Sequence, residues 1–273
     1  MAFWHADTSD AMTRVCASNA GREVGPEDMG AYPRHVMDGI HIAQMNIAVM
    51  VAATDDPVVA EFMDNLDRIN ALADEADGFV WRLQTETGNA TGIQLFPNPR
   101  QLVNMSVWVT VDALKRFVYR TDHVEFYRRR AEWFEADGRR VALWSIKEGT
   151  IPEPAEAVRR IEFLETYGPS PYAFGFASRQ PPLIFEKIDR RSDAFKAELD
   201  VLIARSASSL HVDLDRELTC ARYDGELVGA IPHTALPAET SRHNAPMIVD
   251  PAVDELHIRE ALLDQLQLVR GHD

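Results

Sequence analysis

The sequence predicts an α+β protein, and three observations carry that prediction. Short β-rich stretches and amphipathic helical stretches follow one another between residues 41 and 147 in the order strand, helix, strands, helix, strand. A proline-bearing stretch, Ser178 to Pro182, then precedes a second run of strands and helices. Finally, 273 residues with 46% hydrophobic content can build one large core or two small ones.

Residues 1 to 38 are polar, with scattered glycine and proline and no sustained period, and read as an extension. His41 to Val51 is rich in apolar and β-branched residues and reads as a buried strand. Thr54-Asp55-Asp56-Pro57 is a helix start, with a capping side chain before a first-turn proline. From Val58 to Ala76, Val59, Phe62, Met63, Leu66, Ile69 and Leu72 recur at helical spacing, and Asp77-Gly78 stops the helix. Phe79 to Gln84 is a strand, and Gly88-Asn89 turns it toward a hairpin partner at Thr91 to Phe96. Pro97-Asn98-Pro99 breaks the chain before a strand from Leu102 to Val109. Thr110 caps a helix with Leu114, Phe117 and Val118 as its apolar stripe, and that helix breaks near Arg120-Thr121. Val141 to Lys147 closes the unit.

This order is the split βαβ, or ferredoxin-like, arrangement, with helices on one face of an antiparallel sheet. Its strands carry apolar or aromatic residues in both alternating sets, so both faces are expected to be buried. A second copy of the sheet, placed by two-fold symmetry, is the simplest cover. A helix from Ala155 to Thr166 and a short strand from Tyr172 to Phe176 complete a domain spanning 39–177. The second domain, 183–273, opens with a strand at Leu183 to Ile188 and a helix at Ser192 to Ala207. A hairpin at Glu217 to Ile231 turns on Asp224-Gly225, and a short strand at Ala245 to Val249 and a helix at Asp254 to Val269 follow.

Composition excludes several functions. Forty-three acidic residues face 28 basic ones, a net charge of −15. Such a surface repels nucleic-acid phosphates and anionic membranes. Cys16 and Cys220 are too few and too far apart for a disulfide framework or a cysteine-rich zinc site. The N-terminus lacks the pattern of a signal peptide, and no apolar run approaches the roughly 20 residues of a membrane helix, so a cytoplasmic protein is expected.

The strings GFVWRL (78–83), NMSVW (104–108), FVYRTDH (117–123), RRAEWF (129–134), ALW (142–144) and GPSPYAF (168–174) occur in this order. With them the chain resembles a bacterial domain family of unsettled function, itself similar to the dimeric α/β-barrel superfamily. That superfamily includes antibiotic-biosynthesis monooxygenases, which need neither metal nor flavin, and haem enzymes such as chlorite dismutases and aldoxime dehydratases. The resemblance implies the fold, a homodimer, and either no cofactor or haem. Many such domains have Gly-His before the Ile-Pro that is Ile151-Pro152 here, where this chain has Gly149-Thr150. Farther on, CARYDGELVGAI (220–231) and IVDPAVDELHIREALLDQL (248–266) resemble the hairpin and helix of a GNAT-type acetyltransferase. The glycine loop that would hold a coenzyme A pyrophosphate is absent, and Asp254 and Glu255 stand in its place. The resemblance therefore implies a degenerate, truncated domain.

Among chemically capable residues, His123, Tyr127 and Arg130 fall on one helical face at i, i+4 and i+7. A neutral imidazole there can act as general base, with an arginine holding the developing anion. It can equally ligate haem, and the structural alternative is a histidine bracing a helix junction. Arg82 is a candidate anion clamp. Trp81, Trp108 and His41 are candidates to line a pocket for a flat substrate, with core packing as their ordinary alternative. His211-x-Asp213-x-Asp215 with His233 and His243 matches no compact metal site, so no metal is expected. These observations point to a small-molecule enzyme of specialised metabolism, an oxygenase, cyclase or isomerase acting on an aromatic or polyketide-like substrate. Haem binding and a non-catalytic scaffold are the alternatives.

Overall fold

The computed structural model describes residues 39–178, 180–188, 192–206, 217–233 and 247–270. Residues 39–273 form one compact unit. The expectations for residues 1–38, His211-x-Asp213-x-Asp215 and His243 lie outside the described residues.

The first sheet is built around β1 (Ile40–Val49). β3 (Gln101–Trp108) and β4 (Arg140–Lys147) flank it antiparallel, and β2 (Phe79–Arg82) pairs with the far side of β3, giving the order β2-β3-β1-β4. Because strand side chains alternate, the two faces of β1 have different chemistry. Ala43, Met45 and Ile47 are fully buried on one face. The other face carries Ile42, Gln44, Asn46 and Ala48. This second face lies under α1 (Ala60–Asp64), α2 (Leu66–Asp74), α3 (Val111–Arg120) and α4 (His123–Arg129). Leu114, Phe117 and Val118 of α3 pack there on Trp108 and Leu143, while Phe62 and Phe126 pack with Trp133. Thr110 starts α3 by accepting the Ala113 N–H.

Three expectations change. The helix proposed for Val58 to Ala76 is a 3-10 turn at Pro57–Val59 followed by α1 and α2, broken at Asn65. The Asn65 Nδ2 donates to the Glu61 carbonyl at 2.8 Å, the acceptor its own N–H would use in a continuing helix. Thr91 to Phe96 is not a strand. Thr85 and Asn89 close local turns, and Ile93, Leu95 and Phe96 pack onto the apolar face of the sheet. The three side chains are partly buried there, and each gains a fraction of the about 1.5–3 kcal/mol of full burial. Tyr172 to Phe176 contributes only an isolated bridge, Phe174 to Leu143.

The apolar face needs no second copy of the sheet. It is covered by Ala157 and Ile161 of α5 (Pro154–Tyr167) and by the 93–96 segment, which together bury Met45, Ile47 and Trp144 completely within one chain.

The second sheet is antiparallel, β5 (Leu183–Ile188), β6 (Leu218–Tyr223), β7 (Glu226–Pro232) and β8 (Ile248–Val249) in that order. Asp224 (φ 51°) and Gly225 (φ 86°) both take the left-handed conformation of a tight primed turn between β6 and β7. α6 (Asp193–Arg205) covers one face and α7 (Ile258–Arg270) the other. The core under α7 also takes in Phe163 of α5, Tyr172 and Ala173. The chain therefore does not part at Ser178 to Pro182, because the two sheets share buried side chains. Among the described residues no helix is long and apolar enough to cross a membrane.

Candidate functional site

Across the helix-covered face of the first sheet, side chains form rows set by strand register. Ser106, Gln44 and Leu143 make a row in which Ser106 and Gln44 are buried and Leu143 is fully enclosed. The next row, Asn104, Asn46 and Val141, is reached by solvent even though it crosses the central strand: Asn104 is exposed, Asn46 half-buried and Val141 37% exposed. The side chains under the helices pack in two clusters, one around Trp108 and Phe117, the other around Trp133 and Met50. The solvent-reached row and the buried polar row beside it form a polar strip across the sheet.

The polar strip is a hydrogen-bonded chain. Trp108 Nε1 donates to Ser106 Oγ at 2.8 Å, and Gln44 Nε2 donates to Ser106 Oγ at 3.1 Å and Asn104 Oδ1 at 3.0 Å. Both bonds to Ser106 come from N–H groups, so its oxygen accepts twice and keeps its own proton to donate. Neither Gln44, Ser106 nor Asn104 stood out in the sequence as a functional candidate. The available signal was amide and hydroxyl side chains at alternate positions of otherwise apolar strands.

His123, Tyr127 and Arg130 are brought together along α4 and the 3-10 turn Arg130–Glu132 that follows it. His123 opens α4 where α3 ends. Its ring lies 4.8 Å from the Phe117 ring, which stacks on Trp108 at 5.2 Å. Its Nδ1 is 3.3 Å from the Val118 carbonyl oxygen. A carbonyl only accepts, so Nδ1 carries the proton and Nε2 the lone pair. Burial pushes the His123 pKa below the ordinary histidine value and outweighs that hydrogen bond, which acts the other way. At neutral pH the group is a neutral imidazole with a basic Nε2.

One turn on, Tyr127 packs edge-on to Tyr119. The Arg130 guanidinium lies 4.3 Å from the centre of the Tyr127 ring and donates from Nη1 to the Tyr127 carbonyl at 2.6 Å. Its Nε is buried with no hydrogen-bond partner among the described residues. Arg139, just before β4, stands close enough to Arg130 and Tyr127 to feel both. Partial burial and then the like charge of Arg130 hold its pKa below the usual arginine value.

The other candidates lie elsewhere or are engaged. Arg82 shares the helix-covered face, but its guanidinium grips both Asp74 oxygens, at 2.8 and 3.0 Å, and donates to the Gly88 carbonyl at 2.6 Å. Its guanidinium thereby ties β2 to α2. Trp108 is 1% exposed and serves as a hydrogen-bond donor to Ser106 within the core. Trp81 packs on the opposite, apolar face. His41 pairs with Ile146 near the end of that same face, and its buried Nδ1 has no partner among the described residues. Neither lies on the helix-covered face. His233 bonds Thr219 Oγ1 and Glu217, both at 2.8 Å, in the second sheet. Among the described residues no group of three or more His, Cys, Asp and Glu side chains could hold a metal ion.

Comparisons with known proteins follow this geometry. Among solved structures the chain is similar to SnoaB, a cofactor-independent oxygenase from Streptomyces nogalater, with 19% identity, 41% of this chain and 98% of that chain covered, and a TM-score of 0.29. It is also similar to NE2512, a protein of unknown function from Nitrosomonas europaea, at 10% identity, 42% and 95% coverage and a TM-score of 0.28. Likenesses this distant carry nothing about activity. No curated protein matches the chain. The family model described as "Domain of unknown function (DUF3291)" matches residues 41–188, more than half of the chain. That stretch takes in the first sheet, its helices, α5 and β5, and the chain belongs to the DUF3291 family.

Proposed function

We propose that this protein is a small-molecule enzyme that removes a proton from an aromatic or polyketide-like substrate held at the helix-covered face of the first sheet. The observation that carries the reading is the fixed tautomer of His123, with Nδ1–H on the Val118 carbonyl and a basic Nε2 in a neutral ring. A base with a depressed pKa is deprotonated and ready at neutral pH. Ser106 has a hydroxyl proton to offer, and Arg130 a buried N–H, to negative charge that forms as the proton leaves. The resulting carbanion or phenolate then reacts with oxygen, closes a ring or is reprotonated elsewhere, which keeps cofactor-independent oxygenation, cyclisation and isomerisation as the reaction classes. The second sheet supplies packing to α5 rather than chemistry.

The test is turnover of a panel of hydroxylated anthrones and naphthols under air, read by mass spectrometry, for the wild type and His123→Gln. A general base contributes about 100- to 10,000-fold, so the variant is expected to lose at least 100-fold in kcat/KM. A folded variant retaining activity within about threefold would show that His123 is not the base. The basic Nε2 also favours one second reading. His123 would hold haem iron through Nε2, and haem would supply oxidative chemistry. A Soret band on haem addition that is lost in His123→Ala supports it, and no band removes it.

A further inference from the structure

We propose that Asn46, on an inner strand of the first sheet, is a specificity-determining residue: its side-chain amide reads a substrate edge on which a hydrogen-bond donor stands next to an acceptor, as the N–H and C=O do in an aromatic lactam. The inference rests on the functional reading above for the sheet face on which the substrate lies, and adds the class of molecule selected there.

Asn46 lies within β1, which is flanked on both sides, and has Asn104 of β3 and Val141 of β4 opposite it. Asparagine suits such a position poorly, because its short polar side chain packs badly on neighbouring strands and competes for backbone hydrogen bonds. The usual compensation is a side-chain hydrogen bond. Gln44, two residues earlier, has it, bonding both Ser106 and Asn104. Asn46 does not: among the described residues its carboxamide has no hydrogen-bond partner. The residue is half-buried, and neither of its amide atoms is sealed from solvent. A residue that breaks the preference of its strand without a structural return is expected at functional positions.

Its neighbours decide what it can read. Asn104 Oδ1 already accepts from Gln44 Nε2 at 3.0 Å, and the Val141 side chain has no polar atom. Asn46 is the member of this row whose carbonyl oxygen and NH2 are both uncommitted, and the planar amide sets the two side by side. The matching partner is a rigid edge with an N–H or O–H beside a carbonyl, which makes two hydrogen bonds at once. A lone phenol or ether engages half of the amide. On one side of the row Leu143 packs with Trp108 and Phe117, and on the other Leu102, opposite Ala48, packs with Trp133. One polar group between apolar surfaces fixes the orientation of a flat molecule with a single polar edge.

The test is calorimetric titration with 2-quinolone, whose ring N–H adjoins its carbonyl, and with N-methyl-2-quinolone, in which a methyl group replaces that proton. The wild type is expected to bind 2-quinolone saturably and about tenfold more tightly than the methylated analogue. Asn46→Val should weaken 2-quinolone about tenfold and abolish the preference, which separates the lost hydrogen bond from the bulk of the methyl group. Asn46→Val should also melt at the same temperature as the wild type or higher, since valine suits an inner strand, whereas loss of a structural asparagine would lower the melting temperature. Equal binding of the two ligands by the wild type, a preference that persists in Asn46→Val, a lower melting temperature for that variant, or no binding at all would each overturn the proposal. His123→Gln should bind 2-quinolone with the preference unchanged, so failure of the base and failure of this contact read out separately.

Discussion

At the scale of single residues, the protonation of His123 is the property with the widest reach. Its folded pKa lies below the value of about 6.5 that a histidine has in an unfolded chain. Between those two values the unfolded state binds more protons than the folded one. The contribution of this group to stability is therefore full above pH 6.5, falls as the pH drops through that value, and levels off below the folded pKa. Urea unfolding at pH 7.5 and pH 5 should show a larger acid-induced loss for the wild type than for His123→Gln, in which carboxylate contributions are unchanged. Identical losses in the two proteins would rule out a buried neutral imidazole. The spacing put His123, Tyr127 and Arg130 on one helical face, and the structure places them along α4 and the 3-10 turn that follows it. The polar strip was not legible, because Gln44, Ser106 and Asn104 lie on two strands and meet only through register. Arg82 illustrates the same limit from the other side: an arginine on a strand has the chemistry of an anion clamp until a neighbouring helix brings Asp74 to it.

At the scale of elements, the helix-covered face depends on how closely α3 approaches the start of β2. Gly78 sits there with φ +83°, and an added Cβ would stand 2.7 Å from the Ala113 Cβ. Gly88 has a similar φ, +87°, with nothing within 4 Å of an added Cβ. Both substitutions to alanine carry the left-handed backbone cost of about 1–2 kcal/mol. Only Gly78→Ala adds overpacking, about 1–3 kcal/mol more. Thermal or urea unfolding should therefore rank Gly78→Ala as the more damaging by at least about 1 kcal/mol. Equal effects would mean that α3 does not press on this turn. Turn and cap residues were readable because their physics is local: Thr110 caps α3, Ser192 caps α6, and Asp224-Gly225 makes the tight turn. The 85–99 segment was misread as a hairpin because alternation alone does not say whether apolar side chains will be satisfied by a strand partner or by a sheet face. Here the sheet face won.

At the scale of the whole molecule, α5 is the element on which the architecture turns. It covers the apolar face of the first sheet with Ala157 and Ile161, and gives Phe163 to the core of the second. Arg160, 2% exposed, is paired with Glu156, donates to the Tyr172 carbonyl at 2.6 Å and lies over the Tyr172 ring. Phe163, Tyr172 and Ala173 would all be bared if the chain ended near residue 178. Burial worth about 1.5–3 kcal/mol for each large side chain is then lost from a total stability of roughly 5–15 kcal/mol. A fragment spanning residues 39–178 should accordingly be unstable or aggregate. In the full chain the two sheets should unfold in one calorimetric transition. Two well-separated transitions, or a soluble, cooperatively folded fragment, would show that the shared core does not couple them.

By itself, the sequence determined what is encoded locally: the α+β class, the order of the elements in the first sheet, the helix caps, the tight turn between β6 and β7, and the line of His123, Tyr127 and Arg130. Hydrophobic period and backbone preference act over a few residues, so a single chain states them outright. Only the tertiary structure decided what covers each sheet face, which arginines are already paired, and where solvent reaches the central strand. Those outcomes depend on side chains tens of residues apart competing for the same surface and the same counter-ions. That competition set Arg82 against Asp74 and folded α5 over the apolar face.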